Sequence, residues 1–96
     1  MPESKNSRSA FCIYVNTVCQ GPIPIERNEN GFVVYPTLFE AQREIADDTI
    51  ERLRQFMEGQ RDFDDAMTVE EYVEEVDVFY DGSILDKNGN WFGKDW

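Results

Sequence analysis

The most regular pattern of apolar and polar positions lies between Thr37 and Glu58. At 100° per residue, its apolar side chains fall within about half of a helical circumference, which predicts an amphipathic α-helix suited to lying on a sheet. Thr37 and Glu40 have the spacing of an N-terminal capping box, and Gly59 can end the helix in a left-handed conformation. The predicted sheet-facing side comprises Leu38, Ala41, Ile45, Ala46, Ile50, Leu53, Phe56 and Met57.

Two longer runs predict strands. The run Ala10–Val18 is rich in β-branched and aromatic residues and has apolar side chains on both alternating faces, so we expect it inside the sheet rather than at its edge. The run Val73–Tyr80 predicts a strand with Val76, Val78 and Tyr80 facing inward.

Shorter signals complete the fold prediction. Short strands are predicted at Phe32–Tyr35, Ser83–Leu85 and Trp91–Phe92, and one turn of helix at Val69–Tyr72, where Thr68 provides a capping residue. The order is therefore strand, strand, long helix, short helix, strand, strand. This order indicates an α+β fold, in which one long amphipathic helix packs on one face of a small antiparallel sheet of about four to five strands.

The chain length and the N-terminal composition limit the possible domain organisation and location of the protein. With 96 residues, the chain is expected to form a single domain over residues 10–96, preceded by a polar, flexible tail over residues 1–9. No apolar run approaches the roughly 20 residues that span a bilayer, and the N-terminus lacks the apolar core of a signal peptide. We therefore expect a cytoplasmic location.

Catalytic signals are absent from the sequence. The chain has no histidine, which removes the commonest general base and the usual zinc ligand. No phosphate-binding glycine loop, Cys-x-x-Cys pair or nucleophile elbow occurs. Cys12 and Cys19 would lie on opposite faces of a continuous strand, so we expect both to be free and buried. These features predict a protein that is not an enzyme and needs no cofactor.

One segment resembles the opening of a calcium-binding loop. Asp86, Asn88 and Asn90 occupy the first three ligand positions of an EF-hand, but Trp91 stands where that loop requires glycine. The bidentate glutamate of the twelfth position would fall after Trp96. Because Asn-Gly is a strong turn signal, we interpret the segment as a hairpin turn and predict no metal site.

The charge distribution is the strongest functional signal. The net charge is −11, and residues 36–96 carry it, with 17 acidic and 6 basic residues. Such a surface repels nucleic acid and anionic membranes and attracts basic partners. We therefore expect the partner to be a basic protein surface, with no direct binding to nucleic acid or to membranes.

The candidate partner-binding residues follow the polar side of the long helix and the loop after it. They are Glu40, Glu44, Asp47, Asp48, Glu51, Glu58, Asp62, Asp64 and Asp65, together with a predicted exposed Trp96. The helical carboxylates step along the axis by roughly 4.5 to 10 Å, which overlaps the spacing of about 7 Å between phosphates of a nucleic-acid strand. The row therefore has two interpretations, nucleic-acid mimicry or the ordinary solvated face of a helix. The second is favoured by arginines that partly neutralise the row, namely Arg43, Arg52, Arg54 and Arg61.

The leading hypothesis is a non-enzymatic, acidic protein-binding module. A more specific version of it is an inhibitor that mimics nucleic acid. In size, acidity and lack of catalytic groups, the chain resembles the small inhibitor proteins of phages and mobile elements, including anti-CRISPR proteins; this resemblance is of type and includes no shared motif. One alternative is a structural or accessory homodimer that pairs through sheet edges or through aromatics around Trp91 and Trp96. Another is a domain that binds a small ligand or calcium. We expect Trp91 and Phe92 to lie in the core.

Overall fold

A computed structural model describes residues 7–94 and residue 96. The strands are β1 (Ser7–Thr17), β2 (Gly21–Pro24), β3 (Arg27–Asn28), β4 (Gly31–Phe32), β5 (Tyr72–Phe79), β6 (Ile84–Asp86) and β7 (Trp91–Phe92). The helices are α1 (Leu38–Met57) and α2 (Phe63–Met67). The predicted α+β class and the order of elements are confirmed.

Five strands form one antiparallel sheet in the order β2-β1-β5-β6-β7, and β3 pairs with β4 in a separate hairpin. The long pairing of β1 with β5 runs from Ser7 opposite Phe79 to Tyr14 opposite Tyr72. The sheet is curled, so that Ile23 of β2 and Phe92 of β7, on opposite edges, line the same cavity. The predicted interior position of β1 is confirmed. Its first residue is Ser7, while residues 1–6 of the expected tail lie outside the described residues.

The main core lies on one face of this sheet. It comprises Ala10, Cys12, Tyr14, Phe32, Val76, Val78, Ile84 and Phe92. Tyr14 is fully buried and its ring meets the ring of Phe92 edge to face, with 6.2 Å between centroids. Val76 and Val78 face inward as predicted, whereas the prediction for Tyr80 was wrong. Tyr80 is 95% exposed, because β5 ends at Phe79 and the chain turns through Gly82 at a φ of +91°.

Helix α1 lies against β1 and β5, on the face of the sheet that carries Ile13 and Val15. Its predicted start is confirmed, because the Thr37 hydroxyl accepts a hydrogen bond from the backbone N–H of Glu40 at 3.1 Å. Its predicted end is also confirmed, with Gly59 at a φ of +79°. Ala41 is fully buried and Ile45 is half-buried against the sheet. Ala46, Ile50 and Met57 are exposed, so the sheet covers a narrower strip of the helix than the sequence predicted.

The loop after α1 differs from its prediction. The short helix is α2, not Val69–Tyr72, because the Thr68 hydroxyl donates to the carbonyl oxygen of Asp64 at 2.7 Å and closes the end of α2. Tyr72 already begins β5. Phe63 is 54% exposed and packs on Phe56, with ring centroids 5.2 Å apart, so it does not anchor the loop in the core.

The two cysteines occupy different environments. Both are free, as expected. Cys12 is buried, but Cys19 lies in the turn after β1 and is exposed, so its predicted burial was wrong. Burial, and then the carboxylate of Glu26, raise the pKa of the Cys12 thiol to about 12.

Candidate functional site

The predicted acidic residues of α1 lie on its solvent-facing side. Glu40, Asp47, Asp48, Glu51 and Glu58 are exposed, and Glu44 is half-buried. At 100° per residue, Glu40, Asp47, Glu51 and Glu58 fall within about 40° of one another on the helical circumference, and we call these four residues the acidic row. The row is exposed because Ala41 and Ile45, which lie about 100° and 140° around the helix from its centre, pack against β1 and β5.

Arginine pairs the C-terminal half of the acidic row. The Arg54 guanidinium contacts the Glu51 carboxylate and lies 2.6 Å from that of Glu58. The hydrogen bond from Arg54 lowers the pKa of Glu51, and the same contacts raise the pKa of Arg54. All three side chains are about half exposed, so solvent screens these pairs and their contribution to stability is small.

Across the described residues no salt bridge involves Glu40, Glu44 or Asp47, so the unpaired negative charge of α1 lies in its N-terminal half. Partial burial, followed by the carboxylates of Asp48, Glu26 and Asp47, raises the pKa of Glu44. Glu26 comes from the segment between β2 and β3, and its carboxylate accepts a hydrogen bond of 2.7 Å from the Tyr35 hydroxyl. Carboxylates from two parts of the chain thus act on Glu44 near the middle of α1.

Sequence reasoning missed Glu26 and Tyr35. The segment that carries them reaches α1 because Tyr35 pairs with Phe11 of β1 through two backbone hydrogen bonds of 2.8 and 2.9 Å. This pairing was the missing information, since neither side chain belongs to a recognisable motif. The Tyr35 phenol has a raised pKa, first because it is desolvated and then because Glu26 accepts its hydrogen bond.

Helix α2 and its N-cap carry the three predicted aspartates of the loop after α1. Asp62, Asp64 and Asp65 are exposed, and α2 packs against α1. The Arg61 side chain joins the two helices, donating to Gln55 at 2.9 Å and pairing with Asp65 at 2.6 Å. Phe63 of α2 packs on Phe56, which lies about 160° around α1 from the acidic row, so α2 contacts α1 on a side away from that row.

Trp96 does not join this surface. It is 47% exposed, and its ring lies against Phe92 and Phe32, with centroids 5.0 and 6.5 Å apart, on the core face of the sheet. Phe92 is buried as predicted, but Trp91 is 53% exposed, which corrects its predicted place in the core. Trp91 stacks on Phe79, with 4.9 Å between ring centroids, on the face of the sheet that also carries Ile13 and Val15.

Trp91 and Trp96 line a separate open groove of about 960 Å³. Tyr80, Asp81 and Lys94 also line this groove. It carries one cation and one carboxylate among aromatic rings, so it lacks the concentrated charge of the α1 surface.

Asp86 forms the predicted hairpin turn. Its carboxylate is buried and accepts hydrogen bonds of 2.9 Å from the backbone N–H groups of Asn88 and Asn90. The Tyr14 hydroxyl donates to the other carboxylate oxygen at 3.2 Å. The carboxylate of Asp86, which would be the first calcium ligand of an EF-hand, is thus occupied by donors from the protein. Across residues 7–94 and 96, no group of three acidic or cysteine side chains is placed to hold a metal ion.

Comparisons with protein-family models, with curated proteins and with solved structures gave no significant match. Within the described part of the chain, neither helix is long and apolar enough to cross a membrane.

Proposed function

We propose that this chain is a non-enzymatic protein-binding module whose acidic α1 surface docks on a basic protein surface. The supporting observation is the exposed row of Glu40, Asp47, Glu51 and Glu58 along α1. Interfaces of complementary charge gain association rate and partner discrimination more than affinity. A surface of this kind suits recognition of a strongly basic partner.

In a more specific form, we propose that the acidic row occupies a groove of the partner that otherwise binds nucleic acid. A straight helix presents Glu40, Asp47 and Glu51 at steps of roughly 6 to 10 Å, comparable with the phosphates of an extended strand. The less paired N-terminal half of α1 would provide the stronger field, since Arg54 binds Glu51 and Glu58 in the other half. The protein would then inhibit a nucleic-acid-handling partner by competition.

Capture from a lysate of the native cell, followed by mass spectrometry, tests this proposal. The immobilised wild-type chain is compared with Asp47→Lys, which reverses an exposed charge within the acidic surface. Glu29→Lys is the matched control, because it makes the same charge change in the exposed turn between β3 and β4. We expect a basic protein that wild type and Glu29→Lys retain and that Asp47→Lys retains at least about fivefold less.

Competition separates the general proposal from its more specific form. Release of the captured protein by added DNA or RNA supports mimicry, whereas retention limits the proposal to a basic surface that does not bind nucleic acid. Equal retention by wild type and Asp47→Lys would refute docking through α1.

A further inference from the structure

Helix α1 carries an apolar stripe that nothing in the described structure covers. Phe39 is 68% exposed, Ile50 62% and Met57 80%, and Ala46 between them is also exposed. At 100° per residue these four residues lie within about 40° of one another, and they extend roughly 27 Å along the axis. We call them the α1 stripe.

The α1 stripe is separate from the side of the helix that packs on the sheet. Ala41 and Ile45, which face the sheet, lie about 120° to 160° around the circumference from the stripe. The stripe is also distinct from the acidic row, which lies about 80° to 120° from its centre. A contiguous apolar patch of this kind on a small protein indicates an interaction surface.

The order of residues in the α1 stripe favours a second copy of this chain as the occupant. Phe39 and Met57 lie equally far from Asp48, and so do Ala46 and Ile50. When two antiparallel α1 helices are related by a two-fold axis level with Asp48, Phe39 faces Met57 of the second copy and Ala46 faces Ile50. The two large side chains therefore meet at the ends of the interface, and the small side chain meets the medium-sized one near the axis. Each pair occurs twice, as in any isologous interface.

Charges beside the stripe both favour and oppose this arrangement. Arg54 of one copy lies within two residues, or roughly 3 Å along the axis, of the level of Glu40 in the other copy. It also lies within one residue of the level of Arg43, whose like charge opposes association. Asp47 is the one acidic residue on this side of the stripe that lies close to the same residue of the other copy. Its repulsion opposes association and is screened by salt.

The area available is sufficient for a modest dimer. The exposed parts of Phe39, Ile50 and Met57, together with the side chains beside them, would bury about 1,000 Å² in total over both copies, the lower end for a specific interface. We propose that the chain forms an antiparallel homodimer through the α1 stripe. The dimer brings Glu40 and Asp47 of the acidic row to the rim of the interface, but the inference rests on the α1 stripe and not on the proposed function.

Sedimentation equilibrium of the full chain, from micromolar to millimolar concentration at low and high salt, tests the dimer. We expect a reversible dimer that tightens as salt rises, because both copies carry a net charge of −11. Ile50→Gln should weaken it by about tenfold or more, and Asp47→Asn should tighten it by roughly two- to fivefold. Tyr80→Gln is the matched control, since Tyr80 is 95% exposed outside the stripe, and it should leave the dimer unchanged.

Cross-linking tests the register. In a Cys19→Ser background, chains with Phe39→Cys are mixed with chains carrying Met57→Cys and treated with a short bis-maleimide, because like positions would lie roughly 27 Å apart along the axis. The antiparallel pairing predicts that mixed cross-links exceed those of either variant alone.

Three outcomes would overturn the inference. The first is a monomer at every concentration and salt tested. The second is a dimer that Ile50→Gln does not weaken while its helical circular dichroism stays unchanged. The third is a dimer that Tyr80→Gln abolishes, which would place the contact at the aromatic groove instead.

Discussion

Replacing Tyr14 by Phe tests the polar contact inside the core. Tyr14 is fully buried, and its hydroxyl donates to the Asp86 carboxylate at 3.2 Å. The substitution removes one oxygen, leaves the ring in place against Phe92, and takes one donor from a carboxylate that is 4% exposed. The decrease in the free energy of unfolding therefore measures how much the Tyr14–Asp86 hydrogen bond, which links β1 to β6, stabilises the fold.

The structure sets the expected magnitude. A hydrogen bond to a charged group contributes about 1.5 to 3 kcal/mol, but this O–H···O distance lies beyond the usual range. Asp86 also keeps its two backbone donors, the N–H groups of Asn88 and Asn90. We therefore expect Tyr14→Phe to lower the free energy of unfolding by about 1 to 2 kcal/mol, with Tm falling by roughly 4 to 8 °C per kcal/mol.

Urea denaturation followed by tryptophan fluorescence and by circular dichroism measures this change. Tyr35→Phe is the matched control, because it removes the same oxygen from a half-buried contact with Glu26. Its effect should be smaller, since water can replace the lost donor. A Tyr14→Phe variant as stable as wild type, or less affected than Tyr35→Phe, would refute this account of Asp86.

Three further predictions follow from the same core and from the helix cap. Thiol-reactive reagents should modify the exposed Cys19 rapidly and leave Cys12 unmodified in the native chain, because Cys12 is buried and its pKa is raised to about 12. Mass spectrometry after a timed reaction checks this, and equal labelling of the two cysteines would contradict it. Burial raises the pKa of Tyr14 and Tyr35, so the folded state holds these protons more tightly than the unfolded state. The stabilisation that these bound protons provide is complete below the unfolded pKa of about 10 and is lost as pH rises above it. The urea midpoint should therefore fall above pH 10, and it should fall less steeply in Tyr14→Phe. Thr37→Ala removes the N-cap and should cost about 1 kcal/mol in thermal unfolding, whereas an unchanged Tm would show that the cap bond contributes nothing.

Local chemistry made part of the fold predictable. The Thr37 cap and Gly59 bounded α1 within one residue because both signals act on the nearest backbone groups. The Asn88-Gly89 turn was predictable for the same reason. The alternating pattern placed Val76 and Val78 correctly and failed at Tyr80, because the pattern contains no information on where pairing with a neighbouring strand ends.

Tertiary geometry decided the rest. The periodicity of α1 shows which residues are apolar, but it does not show which of them the sheet reaches, and Ile50 and Met57 stay outside that contact. Exposure of the acidic row could be predicted from the same periodicity. The clustering of Glu26 with Glu44 could not, because it depends on the long-range pairing of Tyr35 with Phe11.

The most direct test of the central claim is the salt dependence of binding between the purified chain and the protein that it captures. Docking of the acidic α1 surface on a basic partner predicts that affinity falls steeply as salt rises, while homodimerisation through the α1 stripe becomes stronger over the same series. The two effects are thus separated in one experiment. Tight binding that is independent of salt, or a lysate from which the chain retains no protein, would contradict the proposed function.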